Sequence, residues 1–303
     1  MTIRVLFRAG FSGTGSSNHR RAPACQPSEV PVHSDAIVGV PFEDEHPLWS
    51  MLCDDGTADH ATGAQISRRL FQIRMADSAG RRSDASILIN RMYATRGYRS
   101  AGLPERAQPN RITLVASEHD STIGTITIGF DSPGGLLVEE LFATETQELR
   151  QAGRTVCEFT KLAMDSVVRS TRVLATLFHV AFIYSHRIMG ASDLLIEVNP
   201  RHTAYYKRML GFEVIAPARL NQRVNAPAVL MRLDFAHARA QITQFGGTLR
   251  PVGPARSLYP YFFSMAEEAG IAGRLQGATN PRGFMPPQAH APSYGTTYQL
   301  QRL

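Results

Sequence analysis

The chain has 303 residues, which suits one large domain or one domain with tails. Its formal charge is +6, and Lys161 and Lys207 are the only lysines among its 32 basic residues. A basic surface favours an acidic partner, but the arginines are scattered and no run of five basic residues occurs, so a nucleic-acid-binding arm is not predicted. The distant cysteines Cys25, Cys53 and Cys157 exclude a disulfide framework and lack metal-ligand spacing.

The distribution of apolar residues bears on localisation. No apolar stretch reaches the length needed to span a bilayer, and arginines interrupt the amino-terminal segment where a signal peptide would be apolar. We therefore expect a cytoplasmic protein in a reducing compartment, with no transmembrane segment.

Residues 1–63 are rich in Gly, Ser, Pro, Asp and His and have only short apolar runs. This composition predicts a mobile, disordered leader without a fold of its own. Order is expected to begin near Gln65, with a strand within 66–77 and a helix over 83–96.

The middle of the chain alternates between strand and helix patterns, which is typical of a mixed central sheet flanked by helices, the α/β class. A turn-rich loop over 118–122 joins the first two strands of this part. The predicted strands cover 111–117, 122–130, 155–163, 193–198, 212–214 and 228–235. A strand remnant and a helix are expected within 136–153, and a long apolar helix over 171–190. The tail, 236–303, predicts helices at 237–245 and 265–275 and a frayed Pro/Gly-rich end.

The segment from Asp193 to Phe212 has the most specific pattern. An apolar strand ends at Asn199-Pro200, and a short helix carrying Tyr205 and Tyr206 ends at Gly211. Taken alone, the pattern fits any strand-turn-helix of an α/β protein.

Read with its neighbours, this segment resembles the FeeM-like N-acyl amino acid synthases of the GNAT superfamily, which are related to the homoserine-lactone autoinducer synthases. The resemblance spans about 65–235. The stretches that carry it are Tyr93–Tyr98, Thr125–Phe130, Leu149–Asp165, Asp193–Phe212 and Val224–Asp234. It implies a GNAT-like acyltransferase domain over 64–235 followed by a C-terminal helical extension, 236–303. It also implies transfer of a long-chain acyl group from a thioester to the α-amine of an amino acid.

The family pattern assigns the catalytic residues to the strand containing Glu158. In the family this strand bulges open, and Glu158 matches the Glu of a Glu-x-x-Arg motif; we expect it to act as general base. Lys161 stands where the family has arginine, which keeps the charge but loses the planar fork. The backbone N–H groups of Phe159, Thr160 and Lys161 are the expected oxyanion donors. A surface ion pair of Glu158 with Lys161 is the alternative.

The acyl-donor site is expected where the opening segment meets the long helix. Many relatives bind coenzyme A with a glycine-rich loop, but 165–172 has no glycine, so the donor is expected to be acyl carrier protein, with acyl-CoA as the alternative. Acyl carrier protein is acidic and would fit the arginine excess. The donor-binding candidates are Arg169 and Arg172 for the phosphate, and Phe178, Asn199, Tyr205 and Tyr206 for the cleft. Tyr206 is one residue farther from Gly211 than the family's acid, so a packing role stays open.

An amino-acid acceptor brings a carboxylate, for which Arg91, Arg96 and Arg99 are equal candidates. No permanently bound cofactor is expected. His179 and His186 lack a further ligand at suitable spacing, so no metal site is predicted.

Two other functions remain open. A homoserine-lactone synthase would need an S-adenosylmethionine site, yet 91–110 is basic and has no tryptophan. A non-catalytic module that binds acyl carrier protein is the second, for which Lys161 and the displaced Tyr206 would be signs; the intact Glu158 argues against it.

Overall fold

The computed structural model describes residues 35–42, 69–99, 102–166, 168, 170–248 and 257–279. Its strands are β1 (Val38–Pro41), β2 (Leu70–Met75), β3 (Arg111–Glu118), β4 (Ser121–Phe130), β5 (Val156–Met164), β6 (Asp193–Val198), β7 (Glu213–Asn221) and β8 (Ala226–Asp234). Its α-helices are α1 (Ala79–Ala94), α2 (Glu139–Gln151), α3 (Thr171–Phe182), α4 (Thr203–Leu210), α5 (Phe235–Phe245) and α6 (Met265–Thr279).

In the described part of the chain the strands form one mixed sheet of eight, in the order β1-β2-β3-β4-β5-β6-β8-β7. The pair β5 and β6 is parallel, and the other neighbours are antiparallel. This confirms the predicted mixed α/β sheet. The parallel pair lies in the middle of the sheet, where strands covered on both faces are favoured.

The two faces of the sheet have different cores. Under α3, Cys157 and Phe159 of β5 join a large cluster with Leu177. On the opposite face, Val156 of β5 packs in a smaller cluster with Phe142 of α2. The alternation of side chains along β5 therefore separates its residues between the two layers.

Several predicted elements differ from the observed ones; the strand predicted over 212–214, for example, extends to Asn221 as β7. Strand β1 lies within the predicted leader: its Val40 is buried, and it pairs with β2. The rest of 1–63, apart from 35–42, lies outside the described residues. No strand forms at 136–138, where turns precede α2. The predicted helix over 171–190 changes at Ile183 into a π-helix, Ile183–Ile188.

The C-terminal extension packs against α3 and α4 and forms the two predicted helices. Between α5 and α6, the Leu258 N–H donates to the Met209 carbonyl at 2.9 Å, and the Tyr259 hydroxyl donates to the Leu210 carbonyl at 2.7 Å. These bonds satisfy carbonyls at the end of α4 that have no partner within the helix. Within the described ranges, no helix combines the length and apolarity needed to cross a bilayer.

Candidate active site

The central strands β5 and β6 separate part of the way along their length. They pair from Val156 to Glu158 and no farther. On the other side of β5, the register with β4 shifts between Thr160 and Ala163, and Lys161 takes a left-handed φ of 51°. The expected bulge in this strand is therefore present, and it lies where the two strands diverge.

A cavity of about 430 Å³ occupies the gap between the diverging strands. Part of its apolar lining belongs to the core under α3 and α4, and Arg223 on its lining reaches Glu140 of α2, on the opposite face. The apolar and aromatic residues include Leu174, Phe159, Phe178, Ile196, Val198 and Tyr206. The polar residues include Tyr93, Arg96, Lys161, Glu197, Asn221 and Arg223. One cavity thus joins a hydrocarbon-like end to a charged end.

Glu158 lies beside this cavity and is not among the residues that line it. Its side chain is fully buried, and Arg111 Nη1 donates to Oε1 at 2.8 Å. The N–H groups of Leu137 and Val138, just before α2, each donate to its carboxylate at 3.0 Å. Glu158 therefore holds the start of α2 against the sheet, a favourable position for a negative charge.

Glu197, on β6, is the carboxylate that lines the cavity. Its Oε2 accepts from Asn221 Nδ2 at 2.7 Å and from Arg223 Nη2 at 2.5 Å, whereas its buried Oε1 has no hydrogen-bond partner among the described residues. Burial raises the pKa of Glu197 to about 7, although the charge of Arg223 acts in the opposite direction. No sequence motif singles out Glu197; the available signal was an acid that follows the apolar run of the strand.

Thr160 and Lys161 line the cavity at the bulge. Within the described part of the chain the buried Thr160 Oγ1 has no hydrogen-bond partner, and Lys161 Nζ donates to the Gly102 carbonyl at 2.9 Å. Burial, together with repulsion by Arg111 and Arg223, lowers the pKa of Lys161 to about 8. A hydroxyl donor and a cation are thus available beside the gap.

Four of the predicted donor-site residues meet in the cavity: Phe178, Asn199, Tyr205 and Tyr206. The ring of Tyr206 lies 6.4 Å from that of Phe178, and burial raises the pKa of its phenol. Asn199 also accepts a hydrogen bond from the Arg201 N–H at 3.2 Å, which caps the turn before α4. Arg172 lies in the first turn of α3 and is not among the lining residues, and Arg169 lies outside the described residues.

The predicted acceptor arginines occupy different places. Arg96 lines the cavity. Arg91 pairs with Asp165 at 2.7 Å, and the Arg99 N–H donates to the Val224 carbonyl at 3.2 Å. Arg223, which the sequence did not single out, also lines the cavity.

The two histidines lie elsewhere. His179 is buried beneath the C-terminal extension, where its Nδ1 accepts from the Phe263 N–H at 2.9 Å. His186 Nδ1 lies 2.8 Å from the Ala191 carbonyl.

Comparison with known proteins agrees with this geometry. The family model described as N-acyl amino acid synthase FeeM matches residues 84–234. The structure of FeeM, an N-acyl amino acid synthase from uncultured soil microbes, is 25% identical with a TM-score of 0.52, and the alignment covers 57% of this chain and 95% of FeeM. A search of curated proteins gave no match.

Two more distant structures were also found. An acyl-CoA N-acyltransferase from Pseudomonas aeruginosa is 14% identical, with a TM-score of 0.39 and coverage of 54% of this chain and 97% of that one. The AHL synthase LasI is 12% identical, with a TM-score of 0.38 and coverage of 54% and 88%. These similarities are too low to support an inference about activity. The FeeM matches and the divided central sheet together show that the chain is an acyltransferase with the GNAT fold, whose residues 84–234 belong to the FeeM N-acyl amino acid synthase family.

Proposed function

We propose that this protein transfers a long-chain acyl group from a thioester to the α-amine of an amino acid. The observation that carries the proposal is the two-ended cavity at the gap between β5 and β6. Its apolar end suits a fatty chain, and its charged end suits a zwitterion. The thioester carbonyl and the amine would meet at the gap, where the two ends join.

Glu197 is the general base in this proposal. It lines the cavity, and its Oε1, which no described residue contacts by a hydrogen bond, can accept a proton from the substrate ammonium. A pKa of about 7 is well matched to a base that works near neutral pH. Glu158, the base expected from the family pattern, is fully buried and already accepts three hydrogen bonds, so we keep it as the alternative.

The negative charge that develops on the thioester oxygen needs donors at the gap. The Thr160 hydroxyl and the Lys161 ammonium are both placed there, together with the backbone from Phe159 to Lys161 at the bulge. Donors fixed in advance in a site with little water stabilise such a charge most strongly.

Arg96 is the best-placed partner for the carboxylate of the amino acid. It lines the cavity, and in the described part of the chain it forms no ion pair. Arg223 is engaged by Glu197 on one side and by Glu140, at 3.3 Å, on the other. An acceptor bound through Arg96 would bring its amine toward Glu197.

Acyl carrier protein is the proposed donor and partner, with acyl-CoA as the alternative; no permanent cofactor is required. Exposed cations on and beside α4 next to the cavity support docking of an acidic partner: Arg201, Lys207 and Arg208. Arg172, at the start of α3, remains a candidate for the phosphate of the carrier's arm.

Production of the lipid tests the reaction. The chain and its Glu197→Gln and Glu158→Gln variants are expressed in a bacterium, and lipid extracts are analysed by mass spectrometry. We expect N-acyl amino acids from the wild type and their loss with Glu197→Gln. Glu213→Gln, at an exposed carboxylate on β7, is the matched control and should keep the product. Acyl-homoserine lactones, or an unchanged profile with soluble protein, would contradict the proposal.

Purified protein tests the donor. Rates with acyl carrier protein should fall as salt rises, because salt screens charge-driven docking. Arg208→Gln should weaken use of the carrier more than Arg69→Gln, a matched change at an exposed arginine next to β2. Equal rates with free acyl-CoA at every salt concentration would argue for coenzyme A.

A further inference from the structure

A second, much smaller cavity lies behind the apolar end of the first. Its volume is about 10 Å³, and Phe159 and Phe178 line both cavities. Their ring centroids are 6.2 Å apart, and both side chains are almost fully buried. The two rings therefore form a thin partition between the cavities.

The far side of this partition is closed in part by residues beyond the family match, which ends at 234. These are Phe235, just after the match, and Ala238, Tyr259 and Phe262 of the C-terminal extension. The segment that supplies Tyr259 and Phe262 is held to α4 and α3 by the hydrogen bonds of Leu258, Tyr259 and Phe263. The wall behind the rings is thus fixed in place.

On the basis of the proposed function, we propose that Phe159 and Phe178 form the floor of the acyl pocket and set the longest acyl chain that the enzyme accommodates. Each methylene that enters apolar contact strengthens binding about fourfold, the equivalent of about 0.8 kcal/mol. A methylene that reaches the rings must displace them against a close-packed wall, which cancels the gain. Affinity should therefore rise with the length of the acyl chain up to a certain length and then level off; we call this length the break.

Phe178 is the better residue to change. Phe159 is on β5 beside the reacting gap, whereas Phe178 is on α3. Phe178→Ala should join the two cavities and move the break to chains longer by about two to four methylenes, since a phenyl ring is removed from a packed interior. Phe178→Leu, a milder change, should move it less.

Phe182→Leu is the matched control. Phe182 is another buried phenylalanine of α3, and it lines the small cavity but not the main one. The Phe182→Leu substitution leaves Phe159 and Phe178 in place, so the break should stay where it is in the wild type.

Calorimetric titration with S-alkyl pantetheine thioethers of increasing chain length tests the floor. These probes cannot transfer an acyl group, so the result does not depend on turnover. We expect a break in the wild type that moves in Phe178→Ala and Phe178→Leu and stays in Phe182→Leu. The proposal would be overturned if the wild type shows no break, if no probe binds, or if the break does not move in Phe178→Leu. If Phe178→Ala does not fold, Phe178→Leu decides the test. If the break moves but the protein makes no N-acyl amino acids, the proposed function is refuted and the assignment of the pocket floor stands.

Discussion

Replacement of Glu197 by glutamine is the sharpest test of the chemistry. The variant keeps the shape of the side chain and a carbonyl oxygen for Asn221 and Arg223, but it cannot take a proton. A positioned general base contributes about 10²- to 10⁴-fold to the rate, so kcat/KM should fall by that factor, the equivalent of about 3 to 5 kcal/mol. The assay is release of free thiol from acyl carrier protein or acyl-CoA with an amino acid present.

The pH profile separates a base from a residue that only supports the site. The pKa of Glu197 is about 7, and its ionised form is the active one, so kcat/KM should rise with pH through about 7. Because the charge of Arg223 lowers this pKa, Arg223→Met should move the rise to higher pH. Arg219→Met is the control: Arg219 lies on β7, four residues before Arg223, and pairs with Glu145, so its removal should not move the rise. A loss of less than tenfold in Glu197→Gln, or the same rise in Arg223→Met, would refute the assignment.

Three further predictions concern stability. Glu158→Gln should lower the free energy of unfolding by about 3 kcal/mol in urea, because it breaks a buried ion pair with Arg111; a change below about 1 kcal/mol would contradict this. Gly211→Ala should cost about 1 to 2 kcal/mol, since φ is +79° and the new Cβ would lie 2.5 Å from His237 Nε2; an unchanged Tm would refute it. Burial would raise the pKa of Glu268, but His179 and Arg239 lower it from 4.5 to about 2. The ionised carboxylate therefore stabilises the folded state above pH 4.5, and this contribution is lost as the pH falls toward 2. Glu268→Gln should therefore flatten the fall of Tm over that window, and an unchanged slope would count against it.

The elements predicted most accurately are those with a strong local pattern. Strand β6 has the predicted bounds, because its apolar run ends at a proline that cannot donate to the ladder. Strand β1 could not be predicted: its four residues, VGVP, lie in a Pro- and Ser-rich context, and their pairing with β2 is what makes them a strand. The change to π-helix at Ile183 has no marker in an apolar run that reads as one helix.

The cavity at the bulged strand was predictable as a region, but the choice between two carboxylates was not. Glu158 and Glu197 lie on neighbouring parallel strands, and Glu158 pairs with Leu195, two residues before Glu197. Both side chains point to the same face of the sheet, because alternation repeats every two residues. Only the place where pairing stops decides which of them meets the cavity, and that place depends on the tertiary fold.

The divided sheet accounts for how one small domain can hold two unlike substrates. A continuous ladder would separate the core under α3 from the opposite layer, where Glu158 and Glu197 lie beside a smaller apolar cluster. The bulge at Lys161 and the end of pairing after Glu158 open a passage between those layers. The acyl chain and the amino acid can then approach from opposite faces, so each can be selected by residues that do not contact the other. Changes at Phe178 should therefore alter the choice of chain, and changes at Arg96 the choice of acceptor, with little coupling between them.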